Sequence, residues 1–303
     1  MKVFVTGVCG QLGHDVMNEL VRRGYEGIGS DIALAYAGVA DGSCVTTAPY
    51  VQMDITDEAT VSCVLDEVKP DAVIHCAAWT AVDLAEDEDK QEKVRAINAR
   101  GTKYIAQKCK MLGCKMMYIS TDYVFNGQGE EPWQPDCKKY APLSVYGQTK
   151  LEGELAVAAE LEKYYIVRVA WAFGNNGTNF VRTMLELAQK CDSLRVICDQ
   201  IGTPTYTLDL ARLLVDMIET EKYGYYHATN EGGYISWADF AKEIFRQAGM
   251  STKVIPVTTE EYGISKAARP FNSRLDKSKL IACGFVPLPA WQDALARYLK
   301  EIC

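Results

Sequence analysis

Apolar and polar positions follow two rhythms along this chain, and the rhythms take turns. "KVFVTG" is a β-branched run that predicts a short strand ending at a glycine. "QLGHDVMNELVRRG" then spaces its apolar residues as a helix does, up to Gly24. The order repeats. "YEGIGSD", "DAVIHCAA", "CKMMYIS" and "YYIVRVAW" predict strands, and "DEATVSCVLDEVKP", "KVRAINARGTKYIAQKCKMLG" and "TKLEGELAVAAELEK" predict helices. Strand and helix alternate through residue 171. That alternation implies an α/β fold: a Rossmann-type, doubly wound parallel sheet covered on both faces by right-handed crossovers. Beyond about residue 175 the rhythm loosens. "NFVRTMLELAQKC", "TLDLARLLVDMIET" and "SWADFAKEIFRQAG" predict helices, with short strands at "LRVIC", "GYYHAT" and "TKVIPV". The expected division is residues 1–175 and 176–303, the second part a smaller α/β region over the C-terminal edge of the sheet. No Pro/Ser-rich linker sharpens this boundary, and the chain can cross back over it.

Composition narrows the function. The 303 residues are 48% hydrophobic and 24% charged, as in globular proteins, and the net charge of -8 argues against nucleic acid as a partner. No segment approaches the roughly 20 consecutive apolar residues that span a bilayer. The 11 cysteines include no CxxC pair, and several lie inside apolar runs, which predicts buried free thiols in a reducing cytoplasm. The three histidines, His14, His75 and His227, are not near a cysteine pair at zinc spacing.

"TGVCGQLG" places Gly7, Gly10 and Gly13 between a predicted strand and a predicted helix. In that context the spacing reads as a dinucleotide cradle: a tight turn, a close backbone approach to a pyrophosphate, and close helix–strand packing. A plain glycine-rich turn is the alternative. Asp31 ends the second strand, 18 residues after Gly13, where an acid can bind the adenosine ribose hydroxyls and repel a 2′-phosphate. Asp54 and Ile55 fit a loop beside the adenine. Ala77, Ala78 and Trp79 leave the next strand, where small residues let a cofactor lie close.

"YISTDYVFNG" puts Ser120, Thr121 and Asp122 just past a buried strand, at the rim of the ligand crevice. Tyr146 and Lys150 follow in "VYGQTK", on one face of a helix at i, i+4. A tyrosine ordinarily titrates near 10, and a neighbouring ammonium would lower it. Such a pair with a strand-end hydroxyl suits carbonyl reduction, one group donating a proton and another orienting the carbonyl. On its own the pair would be an ordinary solvated helix face. Gly147 and Gly153 lie in the same predicted helix, where glycine is costly.

The series "GQLG", "AAWTAVDLAE", "STDYVFNG", "YGQTKLEGE", "VAWAFG", "NFVRTM", "DQIGTPT" and "ARPFNSRLD" resembles the dTDP-4-dehydrorhamnose reductase family of extended short-chain dehydrogenase/reductases, from Gly7 to Trp291. The resemblance implies NADPH- or NADH-dependent reduction of the 4-keto group of dTDP-6-deoxy-L-lyxo-4-hexulose to dTDP-L-rhamnose. It implies that Thr121 binds the keto oxygen, that Tyr146 protonates it, and that Lys150 tunes the tyrosine and holds the nicotinamide ribose. Asp122 and Trp171 match substrate positions. Gly10, Gln11, Leu12, Asp54, Ile55, Ala77, Ala78 and Trp79 match cofactor positions. In "ARPFNSRLD", Arg269 and Arg274 are cations that could meet a nucleotide diphosphate or make surface salt bridges, the diphosphate being favoured for Arg269. Some relatives bind magnesium at a dimer contact, for which Asp15 and Glu301 are the plausible counterparts here. A monomer or a homodimer is expected. The alternatives are another nucleotide-sugar reductase or epimerase of this fold, or a non-catalytic homologue like the regulatory subunit of methionine adenosyltransferase. A dehydratase would want a second acid after Thr121–Asp122, where this chain has Tyr123.

Overall fold

The computed structural model describes residues 1–263 and 265–302. Six strands come from residues 1–171: β1 (Lys2–Thr6), β2 (Glu26–Asp31), β3 (Tyr50–Gln52), β4 (Ala72–His75), β5 (Lys115–Thr121) and β6 (Tyr164–Val169). The helices between them are α1 (Gln11–Arg22), α2 (Glu58–Val68), α3 (Glu88–Arg95), α4 (Thr102–Leu112) and α5 (Val145–Glu160). Later come the short strands β7 (Ala172–Phe173), β8 (Ser193–Ile197), β9 (Ile201–Gly202), β10 (Thr205–Tyr206), β11 (Gly224–His227), β12 (Ile235–Ser236) and β13 (Lys253–Val257). With them come α6 (Phe180–Ala188), α7 (Thr207–Ile218), α8 (Trp237–Gln247), α9 (Thr259–Tyr262), α10 (Ser278–Ala282) and α11 (Trp291–Ile302).

The main sheet has seven parallel strands in the order β11-β6-β5-β4-β1-β2-β3. Strand order reverses between β1 and β4, and the crevice beyond their C-terminal ends is where such sheets take ligands. Alternation along β1 divides the core: Val3 and Val5 pack with Met17 and Leu20 on one face, and Phe4 packs with Leu65, Val73 and Ile105 on the other. Both faces are buried, as the near-continuous apolar runs require. The chain does cross the expected boundary at 175. Helix α7 packs against α1, and β11 pairs with β6 in register Tyr226↔Val167, so residues 207–227 return to the first layer.

The remaining segments form a second layer around Phe173, Tyr206, Phe240, Trp291 and Tyr298. Its small sheets pair β7 with β10, β9 with β12, and β8 with β13. Two differences from the sequence reading stand out. The long helix expected over 93–113 begins at Glu88 and contains a π-helical turn, Ala96–Gly101, between α3 and α4. Strand β3 was not foreseen, because three residues are too few for a period-2 pattern and the segment is organised by pairing with β2.

Candidate active site

The glycine loop leaves β1 and enters α1 with no spare space. Gly7 has φ +73°, and a β-carbon on it would lie 2.6 Å from the Ala77 backbone nitrogen. A β-carbon on Gly13 would lie 2.2 Å from the Gly7 carbonyl oxygen. Helix α1 has no side-chain cap at its N-terminus, so its first N–H groups stay available to an anion. Above them opens a cavity of about 690 Å³. Its wall includes Gly7, Gly10, Gln11, Leu12, Gly13, Asp31, Asp54, Ile55, Ala77, Ala78, Tyr146 and Lys150, so one cavity collects residues from five separate stretches of chain. The Asp31 carboxylate accepts the N–H groups of Cys9 at 3.0 Å and Ile32 at 2.8 Å, which fixes it at the mouth of the loop. Asp54 accepts from the Thr56 N–H at 2.9 Å and hydroxyl at 2.7 Å.

One expected cofactor position does not belong to the wall. The Trp79 indole turns away to donate to the Ala81 carbonyl at 3.0 Å, and Thr80 takes its place in the lining. Sequence reasoning also missed Asn176. Its amide donates to the carbonyls of Cys9 at 2.8 Å and Gly10 at 3.3 Å, clamping the glycine loop from the far side of the cavity. The asparagine-rich turn "GNNGTN" was the available signal. The glycine cradle, the anchored Asp31 and the size of the cavity suit a nicotinamide dinucleotide.

At the other end of the cavity, α5 begins where Ser144 accepts the Gly147 N–H at 3.2 Å. This cap places Tyr146 and Lys150 on the first two turns, facing inward. Tyr146 is half-buried in the cavity wall, with the Thr121 hydroxyl beside its phenol. Thr121 also donates to Asp122 Oδ1 at 3.1 Å. Lys150 is 2% exposed and donates through Nζ to the Ile119 carbonyl at 2.7 Å. Burial pushes the Lys150 ammonium down to about 7. Burial also pushes Tyr146 up to about 12, with the Thr121 hydroxyl opposing. The expected lowering of the tyrosine by Lys150 is therefore corrected. Desolvation of the phenolate dominates, and Tyr146 is held protonated at neutral pH.

Gly147 and Gly153 now have their reason. A β-carbon on Gly147 would sit 2.4 Å from the Tyr123 carbonyl oxygen, and one on Gly153 would sit 2.4 Å from the Tyr118 hydroxyl and 2.6 Å from the Asn98 carbonyl oxygen. The helix carrying Tyr146 and Lys150 thus lies against the Thr121–Tyr123 turn on one side and the π-helical turn on the other. Beneath it, Glu154 and Arg168 form a fully buried bidentate pair at 2.8 and 2.7 Å.

The expected substrate residues sit outside the cavity wall, next to this end. Asp122 is buried, and burial raises its carboxyl to about 6. Trp171 has φ +51°, uncommon for a bulky residue, and stacks on Trp237 with ring centroids 3.7 Å apart. "DQIGTPT" braces it: Thr205 donates its hydroxyl to the Ala170 carbonyl at 2.6 Å and its N–H to the Trp171 carbonyl at 3.1 Å. "ARPFNSRLD" is tied to that brace by the Ile201 N–H to Phe271 carbonyl and Ser273 N–H to Ile201 carbonyl bonds, both 2.8 Å.

Within this loop the two arginines exchange expectations. Arg269 is committed to Asp83 through two bonds of 3.0 and 2.6 Å, so its charge is already neutralised. Arg274 has no carboxylate within ion-pair distance among the described residues; its guanidinium donates to Asn272 Oδ1 at 3.1 Å. Asp15 is buried and raised by burial to about 7, with Oδ2 unpartnered, while Glu301 accepts from the Tyr206 hydroxyl at 2.6 Å. Among the described residues no group of three or more His, Cys, Asp or Glu side chains is placed to hold a metal ion. Among the described residues the thiols are free, but Cys44, Cys63 and Cys191 are exposed rather than buried as expected. No helix among the described residues is long and apolar enough to cross a membrane.

A family model for the RmlD substrate binding domain matches residues 1–303. The spore coat polysaccharide biosynthesis protein SpsK of Bacillus subtilis is 37% identical over 300 residues, covering 99% of this chain and 97% of that protein. The dTDP-4-dehydrorhamnose reductase of Streptomyces griseus is 38% identical over 305 residues, covering 99% and 93%. Among solved structures, a dTDP-4-dehydrorhamnose reductase from Clostridium acetobutylicum superposes with TM-score 0.89 at 40% identity, covering 100% of this chain and 99% of that one. One from Bacillus anthracis, in complex with NADP, gives TM-score 0.88 at 39% identity, covering 99% and 100%.

Proposed function

The chain belongs to the RmlD substrate binding domain family, and from that premise we propose that it reduces the 4-keto group of dTDP-4-dehydro-6-deoxy-L-mannose with NAD(P)H to give dTDP-L-rhamnose. The observation that carries this reading is that Tyr146 and Lys150 line the same cavity as the glycine cradle, with the Thr121 hydroxyl beside the tyrosine phenol. Bound NAD(P)H would supply the hydride. Tyr146, kept protonated by its buried setting, donates its proton to the keto oxygen as negative charge develops there. Thr121 orients that oxygen, and Lys150 holds the nicotinamide ribose and offsets the charge left on the tyrosine. Asp122 and Trp171 bound the sugar. Arg274, with its charge uncommitted, is the better candidate for the diphosphate than Arg269.

On the adenosine side, Asp31 would face the ribose hydroxyls; among the described residues the cavity wall as a whole carries two cations, Lys93 and Lys150. Both cofactors fit the family, with NADH favoured at the ribose by the Asp31 charge. The free thiols are in keeping with a cytoplasmic location. The test is oxidation of NADH and of NADPH by a panel of dTDP-keto sugars, followed by absorbance. Turnover with the 4-keto sugar and formation of dTDP-L-rhamnose are expected. Tight cofactor binding with no turnover of any dTDP-keto sugar would refute the assignment.

A further inference from the structure

Lys150 presents a problem of charge. Its side chain is 2% exposed, and no carboxylate among the described residues lies within ion-pair distance of its ammonium. Buried charges are ordinarily paired or neutralised. One of its three N–H bonds goes to the Ile119 carbonyl at 2.7 Å. The other close group is aromatic: Nζ lies 4.0 Å from the centroid of the Tyr118 ring. Tyr118 is fully buried on β5, its ring stacked on His75 at 5.6 Å, its hydroxyl 3.3 and 3.4 Å from the carbonyl oxygens of Asn98 and Lys150. Gly153, by having no β-carbon, leaves room for that hydroxyl. The ring is therefore fixed at both ends beneath the ammonium.

We propose that Tyr118 is a positioning residue for Lys150: its π face, in place of a carboxylate, keeps the buried ammonium charged and aimed into the cofactor cavity. An ammonium over an aromatic face in a desolvated site is stabilised more strongly than at a surface. A carboxylate in this place would form an ion pair and draw the ammonium off the cavity; a ring holds the charge without competing for its remaining N–H bonds. The assignment rests on the reading of Lys150 as a cofactor contact.

Two groups at this end of the cavity change charge near neutrality, Lys150 at about 7 and Asp122 at about 6, and the Asp122 charge acts on Tyr146. On β4 and just past it, His75 is lowered by burial to about 3 and Cys76 is raised by burial to about 12. Tyr118 itself is raised well above its ordinary value by burial. On its own helix, Tyr146 is raised to about 12, and Glu154, although bonded to Arg168, also favours the Lys150 ammonium through space without touching it.

The test measures NADH affinity by fluorescence from about pH 5 to pH 10, a range chosen around ordinary histidine and lysine values. NADH avoids the titrating 2′-phosphate of NADPH, and affinity in place of turnover keeps the result separate from the identity of the sugar. The parent should bind more weakly as pH rises through the Lys150 titration. Tyr118→Phe keeps the ring and should leave that midpoint in place. Tyr118→Met keeps bulk without a π face and should move it down by about one unit, a tenfold loss of proton affinity. If Tyr118→Met does not fold, ring-fluorinated phenylalanines at position 118 provide a graded series of nearly constant shape, and the midpoint should fall with each added fluorine. The proposal is overturned by an unmoved midpoint in Tyr118→Met or across the fluorine series. It is equally overturned if Tyr118→Phe shifts the midpoint as far as Tyr118→Met, or if the parent's affinity is flat with pH.

Discussion

Replacing Gly147 by alanine tests whether the contact between α5 and the Thr121 turn sets the reaction geometry. The new β-carbon would lie 2.4 Å from the Tyr123 carbonyl oxygen, with Pro142 Cβ at 3.1 Å on its other side. Ordinary van der Waals contact begins at 3.4 Å, so the helix and the turn must part by about 1 Å. Neither side can yield by rotating a side chain, because both are backbone. The turn Asp122–Val124 begins at Thr121, so the displacement acts directly on the Thr121–Tyr146 pair. Misplacing reacting groups by about 1 Å can cost roughly a hundredfold in rate. The stability change should be small, since overpacking costs about 1–3 kcal/mol while alanine returns about 1 kcal/mol of helix propensity. The expectation is thus a kcat down roughly a hundredfold, a nearly unchanged NADH Kd, and a melt close to the parent's. Turnover within about threefold of the parent would refute the reasoning, because it would mean that the turn relaxes without moving Thr121.

Tyr146→Phe should lower turnover by a factor of about 10² to 10⁴ with the NADH Kd nearly unchanged, checked by steady-state kinetics and fluorescence titration. Glu154→Gln leaves the Arg168 guanidinium buried without its counter-charge, and should lose about 3–5 kcal/mol in urea unfolding; a Glu154→Gln/Arg168→Met double variant should recover much of that. Asp15→Asn should change the pH dependence of stability. The folded carboxyl is raised by burial to about 7, so it contributes stability below its unfolded value of 3.8 and loses it as pH rises through about 7. The variant should therefore be more stable than the parent at pH 8, by on the order of 2–4 kcal/mol, and gain nothing at pH 4. Equal gains at both pH values in denaturant melts would show that Asp15 does not titrate as described.

Much of the architecture was written locally. Strand and helix alternate from β1 to β6 because each run carries its own period, and a period is a property of neighbouring residues. The glycine loop, Asp31, Thr121 and the Tyr146–Lys150 pair were legible for the same reason: each depends on spacing within a short stretch, and the topology of a parallel sheet delivers such stretches to one edge. What the spacing could not express was which groups meet across the fold. Arg269 and Arg274 look alike in "ARPFNSRLD", and only folding brings Asp83 to one of them, from 186 residues away. Trp79 stands beside Ala78 in sequence, yet its ring turns out of the cavity that Ala78 lines. Residues 207–227 look like part of the second layer until α7 finds α1 and β11 finds β6.

The titration of the site was also decided by packing. From sequence, a lysine four residues from a tyrosine lowers it; in the fold, burial raises Tyr146 and lowers Lys150. The Lys150 ammonium is left on a tyrosine ring supplied by β5. Sequence by itself determined the kinds of element, their order and the chemical groups placed at their ends, because those follow from neighbours along the chain. Only the tertiary structure decided which charges are paired, which are desolvated and which remain available for chemistry, because desolvation and Coulomb energy depend on distances through space.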